Sequence, residues 1–164
     1  MTKLPVIFVA ALVASACATV PVVPSPPATA PGPDFLARNA AAKNVVTTAS
    51  GLQYFVVRSG PATGTHPDEN DTVTFDYEGK LTTGETFDSS FARGTPLTGP
   101  VDAFVPGFTE ALKLMKPGDE WVVWVPPALG YGDRASDDIP ANSILRFRMV
   151  LHSVTPAAVE PTGG

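Results

Sequence analysis

From Gly51 onward, apolar and polar residues alternate in blocks that spell out separate elements. Thr72-Val-Thr-Phe-Asp-Tyr-Glu78 places Val73, Phe75 and Tyr77 on one face and Thr, Asp and Glu on the other, the period of a half-buried strand. Leu52–Arg58, Glu120–Pro126 and Ser143–Val154 read as further strands, and the turn at Thr83-Gly84 lets Glu85–Asp88 return as a partner strand. One segment changes period. After Pro106-Gly107, the residues Phe108, Ala111, Leu112 and Met115 recur at helical spacing, and Pro117-Gly118 is the expected stop. Ser59–Asp71 and Pro127–Asn142 carry no strand or helix pattern. Trp121 and Trp124 have opposite parity on one strand, which predicts one facing inward and one outward. These elements predict an α+β domain over 51–155, an antiparallel β-sheet wrapped around one short α-helix, followed by a flexible tail over 156–164.

Upstream the pattern is different. Asp34–Lys43 reads as a short helix with a capping Asp, an Ala-rich interior and a basic last turn, leading into the domain over 34–50. No charged residue lies between Leu4 and Pro33. Leu4–Val13 follows Lys3 as an apolar run of about ten residues, against about 20 for a membrane-spanning helix. It ends in Ala14-Ser15-Ala16, so 1–16 is expected to be an export signal. Cys17 follows directly, and Ala-Ser-Ala-Cys resembles a bacterial lipobox, whose cysteine is lipidated; Ala14 and Ala16 also suit an ordinary signal peptidase. Ala18 is not the Asp that resembles an inner-membrane retention signal, which points to an outer-membrane lipoprotein facing the periplasm. The rest of 17–33 holds six prolines, a composition that favours extended chain and a tether of about 3 Å per residue.

Composition then narrows the chemistry. With 16 acidic and 11 basic side chains the net charge is −5, which argues against nucleic-acid binding. One cysteine forms no intramolecular disulfide, and two histidines, His66 and His152, give little material for a metal cluster. Gly130-Tyr-Gly132-Asp-Arg-Ala135 matches a dinucleotide fingerprint as a string, but Asp137-Asp138-Ile139-Pro140 stands where a helix would have to begin. Serine-nucleophile, zincin and phosphate-loop motifs are missing as well.

What remains is a set of aromatics beside turns. They fall in Val73-Thr-Phe-Asp-Tyr-Glu-Gly79, Gly84-Glu-Thr-Phe-Asp-Ser-Ser90, Val105-Pro-Gly-Phe-Thr-Glu-Ala-Leu112, Pro126-Pro-Ala-Leu-Gly-Tyr-Gly132 and Ile139-Pro-Ala-Asn-Ser-Ile-Leu-Arg-Phe147. In this order the five blocks resemble the FKBP-type peptidyl-prolyl isomerases over about Gly51 to Val154. The resemblance implies isomerisation of X-Pro bonds in exported polypeptides, with no cofactor and no metal. It also implies a monomer, because dimeric bacterial members use long N-terminal helical arms.

By matched position, the resemblance makes Phe108 the floor of an apolar pocket, where Trp is commoner in the family. Tyr77, Phe87, Val105 and Phe147 would be its walls, Tyr131 would donate its hydroxyl to a substrate carbonyl, and Ile139 would cover one rim. Asp88 would accept a hydrogen bond near the mouth, positioned by Arg93; read as sequence alone, it could equally cap the following turn. Leu97 stands at a position often aromatic, and Phe104 matches only approximately, because the stretch between Leu97 and Phe108 is shorter than in eukaryotic members. Asp138 replaces an apolar neighbour of Ile139. The alternative on the same fold is a non-catalytic peptide-binding or chaperone module.

Overall fold

A computed structural model describes residues 34–158 except 137. The expected export signal, Cys17, the Pro-rich linker and the end of the tail lie outside the described residues. In chain order the elements are α1 (Phe35–Ala40), β1 (Val46–Thr47), β2 (Gln53–Arg58), β3 (Thr72–Leu81), β4 (Thr86–Ser89), α2 (Ser90–Arg93), β5 (Leu97–Pro100), α3 (Pro106–Leu114), β6 (Glu120–Val125) and β7 (Leu145–Thr155). The strands form one antiparallel sheet in the order β1-β2-β6-β7-β3-β4. The outer edge of β3 is shared: β5 pairs with Thr72–Phe75 and β4 with Glu78–Lys80.

The alternation of β3 turns directly into burial. Val73, Phe75, Tyr77, Gly79 and Leu81 are buried, and the residues between them are half-buried. They face α3, which begins with Pro at its first position, where a missing N–H costs nothing. Its buried face is Gly107, Phe108, Ala111 and Leu112. The helix sits unusually close to β6: a Cβ at Gly107 would lie 2.6 Å from Val125 Cγ1. α3 ends at Leu114, before the expected Pro117-Gly118 stop. Met115 turns extended there (φ −84°, ψ 161°), and its side chain drops fully into the core.

The two tryptophans do point to opposite faces, yet both are buried. Trp121 lies on the α3 side and stacks on Tyr54 with centroids 4.3 Å apart. Trp124 lies on the other face with Phe55 and Val122, and α1 covers it through Phe35. The outward face is therefore not a solvent face. A polar clasp fixes α1 there: Asn39 Nδ2 donates to Gln53 Oε1 at 2.8 Å, and Gln53 Nε2 donates to the Leu36 carbonyl at 2.8 Å. α1 is shorter than the sequence predicts, and Asp34 does not cap it. The Asp34 backbone (φ −93°, ψ 6°) lacks the extended geometry a cap requires, and its carboxylate stands 4.0 Å from Arg38 instead.

Six helical residues hold no helix by themselves in water, so α1 depends on this docking. Phe35→Ala is expected to cost about 3 kcal/mol, the low end for an emptied aromatic site, because a docked helix can partly collapse onto the gap. The loss should appear in urea unfolding, together with a red shift of tryptophan emission as Trp124 gains water.

Candidate functional site

Aromatic residues from β3, β4, β7 and α3 converge at one end of the concave face. A cavity of about 200 Å³ opens there, lined by Tyr77, Phe87, Asp88, Leu97, Ala103, Phe104, Val105, Phe108, Tyr131 and Phe147. Phe108 rises from the first turn of α3 and forms the floor. Its ring meets Phe147 edge-on at 5.0 Å, Tyr77 edge-on at 6.0 Å, and Phe75 and Phe104 tilted at 5.3 Å each. Such arrangements satisfy the ring quadrupoles as well as burying area. Phe87 stands edge-on to Phe147 at 5.7 Å.

This wall exists because β3 carries no side chain at Gly79. A Cβ there would lie 2.5 Å from Phe87 Cζ and 2.9 Å from Phe147 Cε1. Gly79 stands inside the sequence block that carries the family resemblance, but its periodicity gave no hint of this role. Ala103 was missed too, and no pattern in the sequence marks it.

Tyr77 is more than an apolar wall. Its hydroxyl donates to Asp88 Oδ2, Arg93 Nη1 donates to Asp88 Oδ1, and Arg93 Nη2 donates to the Tyr77 oxygen at 3.1 Å, which closes a triangle. The Arg93 guanidinium carbon lies 5.6 Å from the centre of the Tyr77 ring. Burial pushes the Tyr77 hydroxyl pKa up, and its bond to Asp88 adds to that, so the phenol keeps its proton. At Asp88, burial acts to raise the pKa. The hydrogen bonds from Tyr77 and Arg93, with the Arg93 charge, outweigh it and hold the carboxyl below its ordinary value. The capping role falls to the neighbour: Ser89 Oγ accepts from the Ala92 N–H at 3.2 Å. Behind Tyr77, its own N–H donates to Ser90 Oγ at 2.9 Å, and Ser90 donates to Asp76 at 2.6 Å, which ties α2 to β3.

Most of the residues singled out in the sequence come together here, including Leu97 and Phe104. Arg93 stands at the mouth through Asp88. Tyr131 sits at the lip, 43 % exposed, and among the described residues its hydroxyl makes no hydrogen bond. Ile139 is the exception. Its N–H donates to the Ser136 carbonyl at 3.1 Å and its carbonyl accepts from the Ser136 N–H at 2.9 Å. The Ile139 side chain is buried in the main core and lines a separate depression with Leu81, Glu85 and Pro140. It does not rim the aromatic cavity.

An antiparallel sheet closed over one helix, with an aromatic cavity at the helix start, defines the class. Residues 63–152 match the FKBP-type peptidyl-prolyl cis-trans isomerase family, and 26–56 match the domain amino terminal to FKBP-type peptidyl-prolyl isomerase. The chain belongs to the FKBP-type peptidyl-prolyl isomerase family. It is 45% identical over 121 residues to the peptidyl-prolyl cis-trans isomerase Mip of Coxiella burnetii, covering 73% of this chain and 52% of that protein. It is 43% identical over 130 residues to the outer membrane protein MIP of Legionella longbeachae, covering 79% and 55%. The crystal structure of FkpA from Escherichia coli superposes with a TM-score of 0.72 at 40% identity, covering 76% of this chain and 58% of that one. The chain spans about half the length of the curated relatives it matches.

Two outcomes follow from the geometry. Gly79→Ala should displace Phe87 and Phe147 and disorder the cavity; ring-current-shifted aromatic resonances should lose dispersion even where the sheet stays folded. A carboxyl depressed in the folded state stabilises that state above its unfolded pKa, about 3.9 for Asp, and the contribution fades as pH falls through the folded value. The Asp88 carboxyl resonance should therefore titrate below pH 3.9, and Arg93→Ala should move that midpoint up.

Proposed function

We propose that this chain is a peptidyl-prolyl cis-trans isomerase acting on exported polypeptides, with the aromatic cavity as its active site. The observation that carries this reading is the floor of Phe108, enclosed by rings from three other elements, with the hydroxyl of Tyr131 at its lip, unbonded among the described residues. An X-Pro bond isomerises over about 18–20 kcal/mol. No bond breaks, so the site needs neither nucleophile nor proton transfer. The planar amide is the more polar state; twisting it removes conjugation and charge separation. An apolar site that has shed water disfavours the planar form relative to the twisted one. A thousandfold acceleration asks for only about 4 kcal/mol. Partial amide desolvation and one hydrogen bond supply terms of that order, about 1–3 kcal/mol each.

In this reading Phe108 receives the proline ring, and Tyr77, Phe87, Val105 and Phe147 exclude water around it. Tyr131 donates to the carbonyl of the residue before proline. Asp88, oriented by Arg93, accepts at the mouth, while Leu97 and Phe104 extend the wall. Ile139 acts only through the packing of its loop.

The same proposal places the protein in the cell envelope, cleaved after 1–16, lipidated at Cys17 and held off the outer membrane by 17–33. The name of the Legionella relative supports an envelope location. A monomer is supported by α1, whose apolar residue Phe35 is spent on the sheet of its own domain.

Isomerisation of a proline peptide by the full-length chain is the direct test, and it separates catalysis from a pocket that only binds. Phe108→Ala should cost about 30-fold or more and Tyr131→Phe about two- to tenfold, with Asp88→Ala between them, each judged on variants shown to be folded. The rate should stay flat between pH 6 and 8, where neither Asp88 nor Tyr77 changes charge. A folded Phe108→Ala protein with full activity would refute the pocket assignment. Cys17→Ser should move the protein from the detergent phase to the soluble fraction.

A further inference from the structure

Phe104 also lines a second, larger cavity of about 510 Å³ on the solvent side of α3. Its apolar floor is Phe104, Pro106 and Leu114, the last 37 % exposed. Its rim is acidic. Glu69, Asp102 and Glu110 stand around it against one cation, Lys113, which is already held 3.6 Å from Glu69. Glu110 accepts from Ser50 Oγ at 2.6 Å, and Asp102 makes no hydrogen bond or ion pair among the described residues.

Apolar floor and anionic rim together suit one kind of side chain: a long aliphatic stem ending in a cation. We infer that this groove is a specificity subsite for a lysine or arginine of the same polypeptide whose proline occupies the aromatic cavity. The inference rests on the isomerase reading of the adjoining cavity and names a preference that reading leaves open. The stem lies on Leu114 and Pro106, and the charged head reaches Asp102 and Glu110. Spacing follows from the shared wall. The Phe104 and Phe108 ring centroids are 5.3 Å apart, and Phe104 lines both cavities. An extended chain advances about 3.3 Å per residue, which puts the basic residue about two to four positions from the proline.

The test compares peptides of one length with a central Ala-Pro. Each carries Lys, Glu or Ala two, three or four residues from the proline, on either side, and is assayed with the full-length chain. At one or more of these positions Lys should raise kcat/KM about three- to tenfold over Glu, with Ala between, and the difference should shrink at 0.5 M salt. Asp102→Asn and Glu110→Gln should each narrow the Lys-to-Glu ratio, and Asp102→Lys should invert it. Asp102 is exposed, and Gln at position 110 still accepts from Ser50, so these variants should fold. Equal rates for Lys and Glu at every position would overturn the inference, as would a ratio that survives Asp102→Lys. If even the Ala peptide is not turned over, the isomerase reading fails. The Kd values of the same peptides then decide the groove by the same Lys-to-Glu criterion.

Discussion

Everything around the cavity depends on how closely backbone and ring can approach where two glycines remove a Cβ. At Gly79 the bare strand lets Phe87 and Phe147 close over β3, and at Gly107 the bare first turn lets α3 settle onto Val125 and Leu129. The first approach builds the wall of the cavity, and the second sets the depth of its floor, since Phe108 is the next residue along the helix. A methyl group at either place would push apart surfaces that are otherwise packed at ordinary contact distance, and close-packed interiors transmit such a shift rather than absorb it. The cavity is thus a property of the helix–sheet spacing, not of any one side chain.

That spacing needs a stiff sheet, and the stiffness comes from covering both of its faces. On the concave side lies the main core with α3. On the other side Trp124, Val122 and Phe55 are sealed by α1, and the Asn39–Gln53 pair satisfies polar groups that burial would otherwise leave costly. β6 and β7 are central in the strand order, so they are held on both edges as well. Phe147 therefore projects from one of the most constrained strands in the molecule.

The core of this arrangement was legible in the sequence because it repeats. Strict alternation in β3 and the 3.6-residue spacing of Phe108, Ala111 and Leu112 leave little freedom about which face is buried, and the matched blocks named most of the residues that line the cavity. What the sequence hid has a physical cause in each case. β5, Leu-Thr-Gly-Pro, has no alternation and contains a proline; it is a strand because the edge of β3 recruits it. The parity of Trp121 and Trp124 predicted one outward ring without saying which, and a period of two cannot reveal that a distant helix returns to cover that face. Ile139 lies outside the lining of the aromatic cavity, in a loop whose backbone pairing with Ser136 nothing in residue type encodes. Asp34 has the right chemistry for a cap but not the backbone angles, and the angles govern.

An apolar cavity with a carboxylate at its mouth sets two demands against each other, since an ion holds water where the aromatic lining excludes it. The triangle of Tyr77, Asp88 and Arg93 resolves this. Each oxygen of Asp88 already accepts a hydrogen bond from the protein, and the guanidinium cancels its charge at contact distance. The pair stays open to water on its outer side, while its hydrogen bonds and cancelled charge weaken its pull on water toward the aromatic lining. Charge that is left uncancelled lies instead beyond Phe104, along the solvent side of α3, where it can influence encounter and choice of polypeptide while staying out of the dry pocket. An interaction made equally in the planar and twisted states improves binding and leaves the barrier alone, whereas desolvation of the amide acts on the barrier itself. Phe104 lines both cavities, so under the proposed function one aromatic ring would stand between a surface that selects and a pocket that accelerates.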